Sequence, residues 1–114
     1  MSTKSFKDLI VWQKARDLTV EMYGNFREIK DFCFKDQIQR ASVSIMNNIA
    51  EGYARRSDKS FQQFLLIAKG SAAEVESMLT IADELSYISS DKRIELVNKT
   101  EEVGRLLSAF VKKL

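Results

Sequence analysis

Seven apolar residues in the middle of the chain, Phe61, Leu65, Ala68, Ala72, Val75, Leu79 and Ala82, follow one another at alternating steps of four and three. That spacing puts all of them on one stripe of an α-helix and on neither face of a strand. Held over successive heptads, it requires a long amphipathic helix packed against other helices. No proline occurs anywhere in the 114 residues, so nothing breaks the pattern to either side. Three more stripes with the same stepping emerge. Val11, Ala15, Leu18, Met22, Phe26 and Ile29 form one. Phe34, Ile38, Ala41, Ile45, Ile49 and Gly52 form the next, and Leu96, Thr100, Val103, Leu107, Phe110 and Leu114 the last.

Polar breaks separate the stripes. Asp31 is placed to cap a second helix, Ser57 or Asp58 a third, and Ser89-Ser90-Asp91 a fourth, because their side chains accept from free amides of a first turn. The expected helices span about 8–29, 33–54, 58–88 and 91–113. Short links force neighbouring helices to run antiparallel. The expected fold is all-α: one domain over residues 1–114, an up-down-up-down four-helix bundle.

Composition removes several kinds of chemistry. The chain has no histidine, which excludes Ser-His-acid triads and the usual zinc and di-iron patterns. A single cysteine, Cys33, cannot form an internal disulfide and fits a reducing compartment. Flanked by Phe32 and Phe34, it reads as a small buried hydrophobe. Gly24, Gly52, Gly70 and Gly104 are too far apart for a phosphate-binding loop. No apolar run is long enough to span a bilayer, and the N-terminus shows no signal-like segment. A cytoplasmic protein without metal, cofactor or membrane partner is expected.

Two features exceed what a bundle needs. Phe64, Ile67, Met78, Ile81, Leu85 and Ile88 form a second apolar stripe on the third helix, either a wide core face or a subunit interface. Beside it, Gly70 in the run from Ala68 to Ala73 would let another helix approach closely, offsetting the cost of glycine in a helix. Trp12 lies one position off the first stripe and reads as a packing or interface anchor.

Polar residues also border the core faces. Gln37, Arg40, Ser44, Asn48 and Glu51 form a stripe on helix two, and Ser71 and Glu74 fall in line with the second apolar stripe of helix three. These residues are expected to meet at the margin of the core, with Arg40 paired to Glu74 or Glu51. One reading is a pocket with Glu51 or Glu74 as general base. The other is a hydrogen-bond network that fixes helix register, and it would make Arg40→Ala strongly destabilising. The lack of histidine, nucleophile and phosphate loop favours the network.

Net charge is only +2, so the placement of charge has to argue for any polyanion partner. The up-down topology gathers the N-terminus, the link between helices two and three, and the C-terminus at one pole. Lys4, Lys7, Arg55, Arg56, Lys59, Lys112 and Lys113 fall there against Asp8, Glu51 and Asp58, a surplus of four positive charges. The other pole balances. In a cyclic ring every basic pole would face the same side, forming a rim able to hold phosphate backbone without reading sequence. Tyr53 could stack on an unpaired base there, although packing at the bundle end is the simpler role.

Three stretches carry a family resemblance. Phe6-x-x-Leu9-x-Val11-Trp12-Gln13-x-Ala15, Gln37-Ile38-x-Arg40-Ala41-x-x-Ser44-Ile45-x-x-Asn48-Ile49-Ala50-Glu51-Gly52, and Phe64-Leu65-x-Ile67-Ala68-x-Gly70-Ser71-x-x-Glu74 occur in this order, followed by Tyr87-Ile88. Together they resemble the bacterial four-helix bundle proteins encoded in 23S ribosomal RNA intervening sequences, over nearly the full length. Many relatives place a proline between helices one and two, where this chain has Ile29-Lys30-Asp31-Phe32; no change of fold is expected from that. The resemblance implies a homo-oligomeric ring, usually a pentamer. It also implies kinship with the accessory protein of diversity-generating retroelements, which works with a reverse transcriptase and nucleic acid. It brings no catalytic residue. The expectation is therefore a non-enzymatic ring that binds RNA or DNA through its basic end. The alternative is a protein-interaction scaffold or accessory subunit of a reverse transcriptase, with an enzyme centred on Glu51 or Glu74 ranked last.

Overall fold

A computed structural model describes residues 4–114 of the chain; the first three residues of the domain expected over 1–114 lie outside it. Four α-helices follow a 3-10 turn at Phe6–Asp8: α1, Ile10–Asn25; α2, Phe32–Ala54; α3, Asp58–Glu84; and α4, Ser90–Lys113. Each packs on the next in sequence and α4 closes onto α1, with no close backbone approach between diagonal helices among the described residues. This is the up-down-up-down bundle, 43 Å long and about half as wide.

The stripes form its interior. All seven α3 residues with alternating spacing are buried, as are Phe34, Ile38, Ala41, Ile45 and Ile49 on α2. Val11, Ala15, Leu18 and Met22 face them from α1 together with Phe26 just beyond it, and Leu96, Val103 and Leu107 from α4. Hydroxyls that enter this core are satisfied by backbone. Thr19 donates to the Ala15 and Ser42 carbonyls, Ser42 to Ile38 and Thr100 to Leu96, which removes the cost of burying them unpaired. Caps fall where the polar breaks suggested. Asp31, Ser57 and Ser89 accept the backbone N–H groups of Phe34, Ser60 and Lys92.

Helices α1 and α3 are shorter than their periodicity predicts. Ser5 and Asp8 form a reciprocal capping box that closes a separate turn, and Leu9 is extended before α1 begins. At the other end of α1 the fully buried Phe26 is its C-cap. Helix α3 stops at a Schellman turn: Tyr87 N–H reaches the Ala82 carbonyl, Ser86 N–H reaches Asp83, and Ser86 sits at φ 63°. Leu85 becomes the exposed C-cap, and Ile88 folds back, half-buried, onto the core.

That end of the bundle is locked by matched charges. The Tyr87 hydroxyl donates to Asp31 at 2.7 Å, tying the start of α2 to the α3–α4 link. Arg93 and Ser90 both donate to Asp83, and Lys92 pairs with Glu95. The Tyr87 hydroxyl, with the Phe34 amide, holds the Asp31 carboxyl below its ordinary pKa. Arg93 and Ser90 do the same for Asp83, and Lys92 followed by Lys99 for Glu95. A carboxylate with a depressed folded pKa contributes stability above its unfolded pKa and loses it as the pH falls through the folded value. Thermal midpoints should therefore fall on acidification below the ordinary carboxylate range. Substituting Asp31→Asn and Asp83→Asn together should lower the neutral-pH midpoint and flatten the acid limb of a melting-temperature profile.

Candidate nucleic-acid interface

The 3-10 turn, the α2–α3 link and the end of α4 converge at the opposite pole. They enclose an open cavity of about 720 Å³ lined by residues from all three, including Lys4, Phe6, Tyr53, Arg56, Phe61, Phe110 and Leu114. Two local structures shape it. The capping box turns the N-terminal segment across the bundle end, and Asp8 is occupied by accepting the Lys4 and Ser5 amides. The α2–α3 link turns through Arg56, whose φ of 58° is left-handed. Its N–H bonds the Tyr53 carbonyl. Glycine is the residue that adopts this position beyond a helix end without strain.

The seven cations read as one patch are spread around this pole rather than stacked together. Lys4 and Arg56 border the cavity. Lys112 lines the groove between α3 and α4, and Lys113 the one between α1 and α4. Arg55 leans outward, 5.1 Å above the Phe64 ring, and pairs with Glu51 at 3.3 Å. Lys7 and Lys59 are exposed. Among the described residues Arg55 is the one of the seven in an ion pair, whereas Arg93 and Lys92 at the far pole are neutralised by acids.

The polar stripe is divided. Its centre is a half-buried chain of hydrogen bonds: Ser44 and Ser71 hydroxyls lie 2.8 Å apart across α2 and α3, and Asn48 donates to the Ser44 hydroxyl and carbonyl. Gln37 donates to Glu74 nearer the far pole. Arg40 departs from expectation. Its side chain is 80% exposed and pairs with Asp36 one turn earlier, not with Glu74 or Glu51. An exposed i,i+4 pair contributes little, so Arg40→Ala should shift unfolding by less than about 0.5 kcal/mol in a denaturant titration. A larger loss would place Arg40 against another copy of the chain.

Other readings also change. Cys33 is exposed in the first turn of α2, not buried. Ile67, Ile81 and Leu85 are about half exposed on the outer side of α3, so the wide-core reading of the second stripe does not hold for them. Gly70 has nothing within 4 Å of a Cβ, whereas Gly52, taken as one more core position of helix two, lies against Phe61 and Phe64. Trp12 packs edge-on against Phe6 at 5.1 Å, under the Arg16 guanidinium. Sequence reasoning missed the cavity. Its signal was Ser5-x-x-Asp8, a short-range box that folds Phe6 toward the bundle end.

No cluster of three or more His, Cys, Asp or Glu side chains able to hold a metal occurs among the described residues. No described helix is long and apolar enough to cross a membrane.

The fold has a solved counterpart. It matches, with a TM-score of 0.86 and 28% sequence identity, the crystal structure of a protein with unknown function from the S23 ribosomal protein family of Bacteroides thetaiotaomicron. The match covers 90% of this chain and 99% of that one. No curated protein is significantly similar. A family model described as 23S rRNA-intervening sequence protein matches residues 7–109, a span that contains the Gln37–Gly52 and Phe64–Glu74 motifs, the basic α2–α3 link and most of α4. The chain belongs to the 23S rRNA-intervening sequence protein family.

Proposed function

We propose that this protein is a non-enzymatic, cytoplasmic bundle that assembles into a ring, a pentamer by family resemblance, and holds RNA or DNA backbone along the rim formed by its basic poles. The observation that carries the reading is the charge asymmetry of the folded chain. At one pole seven cations exceed the acids by four, six of them outside any ion pair among the described residues and two, Lys4 and Arg56, lining an open cavity, while at the other pole charges balance and Lys92 and Arg93 pair with carboxylates. A surplus of four charges on one subunit is a weak field. Aligned copies multiply it, and counterion release then gives an affinity that falls steeply with salt. The exposed apolar face of α3 supports self-association. The family description, which names an intervening sequence of 23S rRNA, agrees with an RNA setting.

Electrophoretic shift assays with RNA at about 50 and 200 mM salt test this. The expected result is binding at the lower salt that weakens at least tenfold at the higher, and a similar loss on replacing Arg55, Arg56 and Lys59 by alanine. Binding that is absent, or indifferent to both changes, would overturn it.

The same α3 face favours a second reading, a scaffold or accessory subunit for another protein such as a reverse transcriptase. Pull-down of a purified reverse transcriptase, lost on polar substitution of Ile67 and Ile81 while RNA binding stays absent, would decide for it.

A further inference from the structure

We infer that the cavity at the basic pole takes one unpaired base of a single-stranded nucleic acid, with the phosphates on either side held at its rim. This rests on the polyanion reading above and adds what kind of strand the pole accepts.

The cavity is built for a flat, weakly polar group bearing negative charge nearby. Phe6, Tyr53, Phe61 and Phe110 supply aromatic walls. Phe61 stands tilted against Phe110 at 5.1 Å and edge-on to Tyr53 at 6.2 Å. A volume of about 720 Å³ lies within the range of small-molecule sites. A duplex keeps its bases stacked and paired, so it is an unpaired base that can turn into the cavity. Every base offers a π-face, so aromatic walls bind it with little regard to identity.

The rim supplies the phosphate contacts. Lys4 and Arg56 stand on it with a single acid, Asp58. Arg56 occupies a left-handed backbone position where glycine would be unstrained. Glycine at this position would bring no charge to the cavity, whereas Arg56 lines it. Arg55, one residue earlier, is engaged by Glu51 and Phe64 on the outer side; the two arginines are not equivalent.

Trp12, the one tryptophan, touches Phe6 but does not line the cavity. Its fluorescence should report occupancy without its mutation. The test measures the full-length protein by fluorescence anisotropy with a labelled single-stranded RNA, the same RNA annealed to its complement, and an abasic single strand of equal length. Changes in Trp12 emission are followed on the unlabelled strands.

The single strand is expected to bind about tenfold more tightly than the duplex or the abasic strand and to change Trp12 emission. Phe6→Leu and Phe110→Leu keep apolar bulk but remove the ring, and should cost the single strand about tenfold while leaving the duplex unaffected. Arg56→Gly, which relaxes the backbone, should weaken both strands without loss of thermal stability. Equal binding of all three strands, or leucine variants that bind the single strand as the parent does, would overturn the base pocket and leave backbone binding standing. No binding of any strand would remove the polyanion reading and this one with it.

Discussion

Gly52→Ala is expected to destabilise the bundle by about 2 kcal/mol, although alanine is the better helix former by about 1 kcal/mol. Gly52 lies near the end of α2, buried, where an added Cβ would stand 2.7 Å from the Phe64 Cβ and 2.9 Å from the Phe61 Cδ1. The Phe61 ring edge can swing. The Phe64 Cβ cannot, because it is fixed to the backbone of α3. Relief therefore requires α2 and α3 to separate near the basic pole, loosening packing on the buried Phe61 and Ile49. Overpacking a rigid interior costs typically 1–3 kcal/mol and here outweighs the propensity gain. A shift of the urea midpoint to lower concentration at unchanged slope would register it. Gly70→Ala is the control of opposite sign. Nothing lies within 4 Å of a Cβ there, so propensity acts alone and stability should rise by about 1 kcal/mol. A Gly70→Ala variant that instead loses stability puts a second chain against that face.

These two glycines also show what a sequence can and cannot carry. Both sit inside helices, and the run of small residues around Gly70 is the one whose composition suggests a close approach by another helix. Periodicity assigns each residue an angle around its own helix, and the four core stripes are recovered on that basis. It does not say which neighbouring turn lies opposite. That depends on the crossing of α2 and α3, and it selected Gly52. Arg40 illustrates a related limit. It lies about 40° further from the core than Ser44, and a long side chain at that margin can turn inward or outward. Asp36, one turn back, settles the direction locally. The end of α3 was hidden for another reason: the left-handed cap is Ser86, not glycine, so no residue type announced the stop. The cations of the basic pole were legible as a group because topology alone brings their segments together. Their separation into cavity, groove and outer positions depends on side-chain direction and was not. The aromatic walls come from a 3-10 turn, α2, α3 and α4, a combination no single stripe reveals.

Replacing Ile67, Ile81 and Leu85 by asparagine is expected to leave a folded single chain with polyanion affinity at least about 100-fold below the parent. All three are about half exposed in one chain, so their substitution removes little intramolecular burial. Helical circular dichroism should be unchanged. Between copies of the proposed ring each would lose the burial of an apolar side chain and leave a polar one at the contact, at a cost of roughly 1–2 kcal/mol per residue, repeated at every interface. Light scattering should then report the mass of one chain. Loss of binding would follow from geometry, not from charge. Asparagine is neutral, and these positions lie on the flank of α3, away from Lys4 and Arg56 at the pole. Each released subunit keeps its own cavity and cations, but its contacts are no longer held at the effective concentration that a ring imposes on one strand. The salt dependence separates this cause from damage to the pole, since its slope counts the phosphates neutralised at once. A dispersed ring should show the shallow slope of a single pole. The Arg56→Gly variant, still assembled, should lose only part of the slope. If the asparagine variant binds as tightly and as salt-dependently as the parent, one basic pole suffices and the ring has no part in holding the strand.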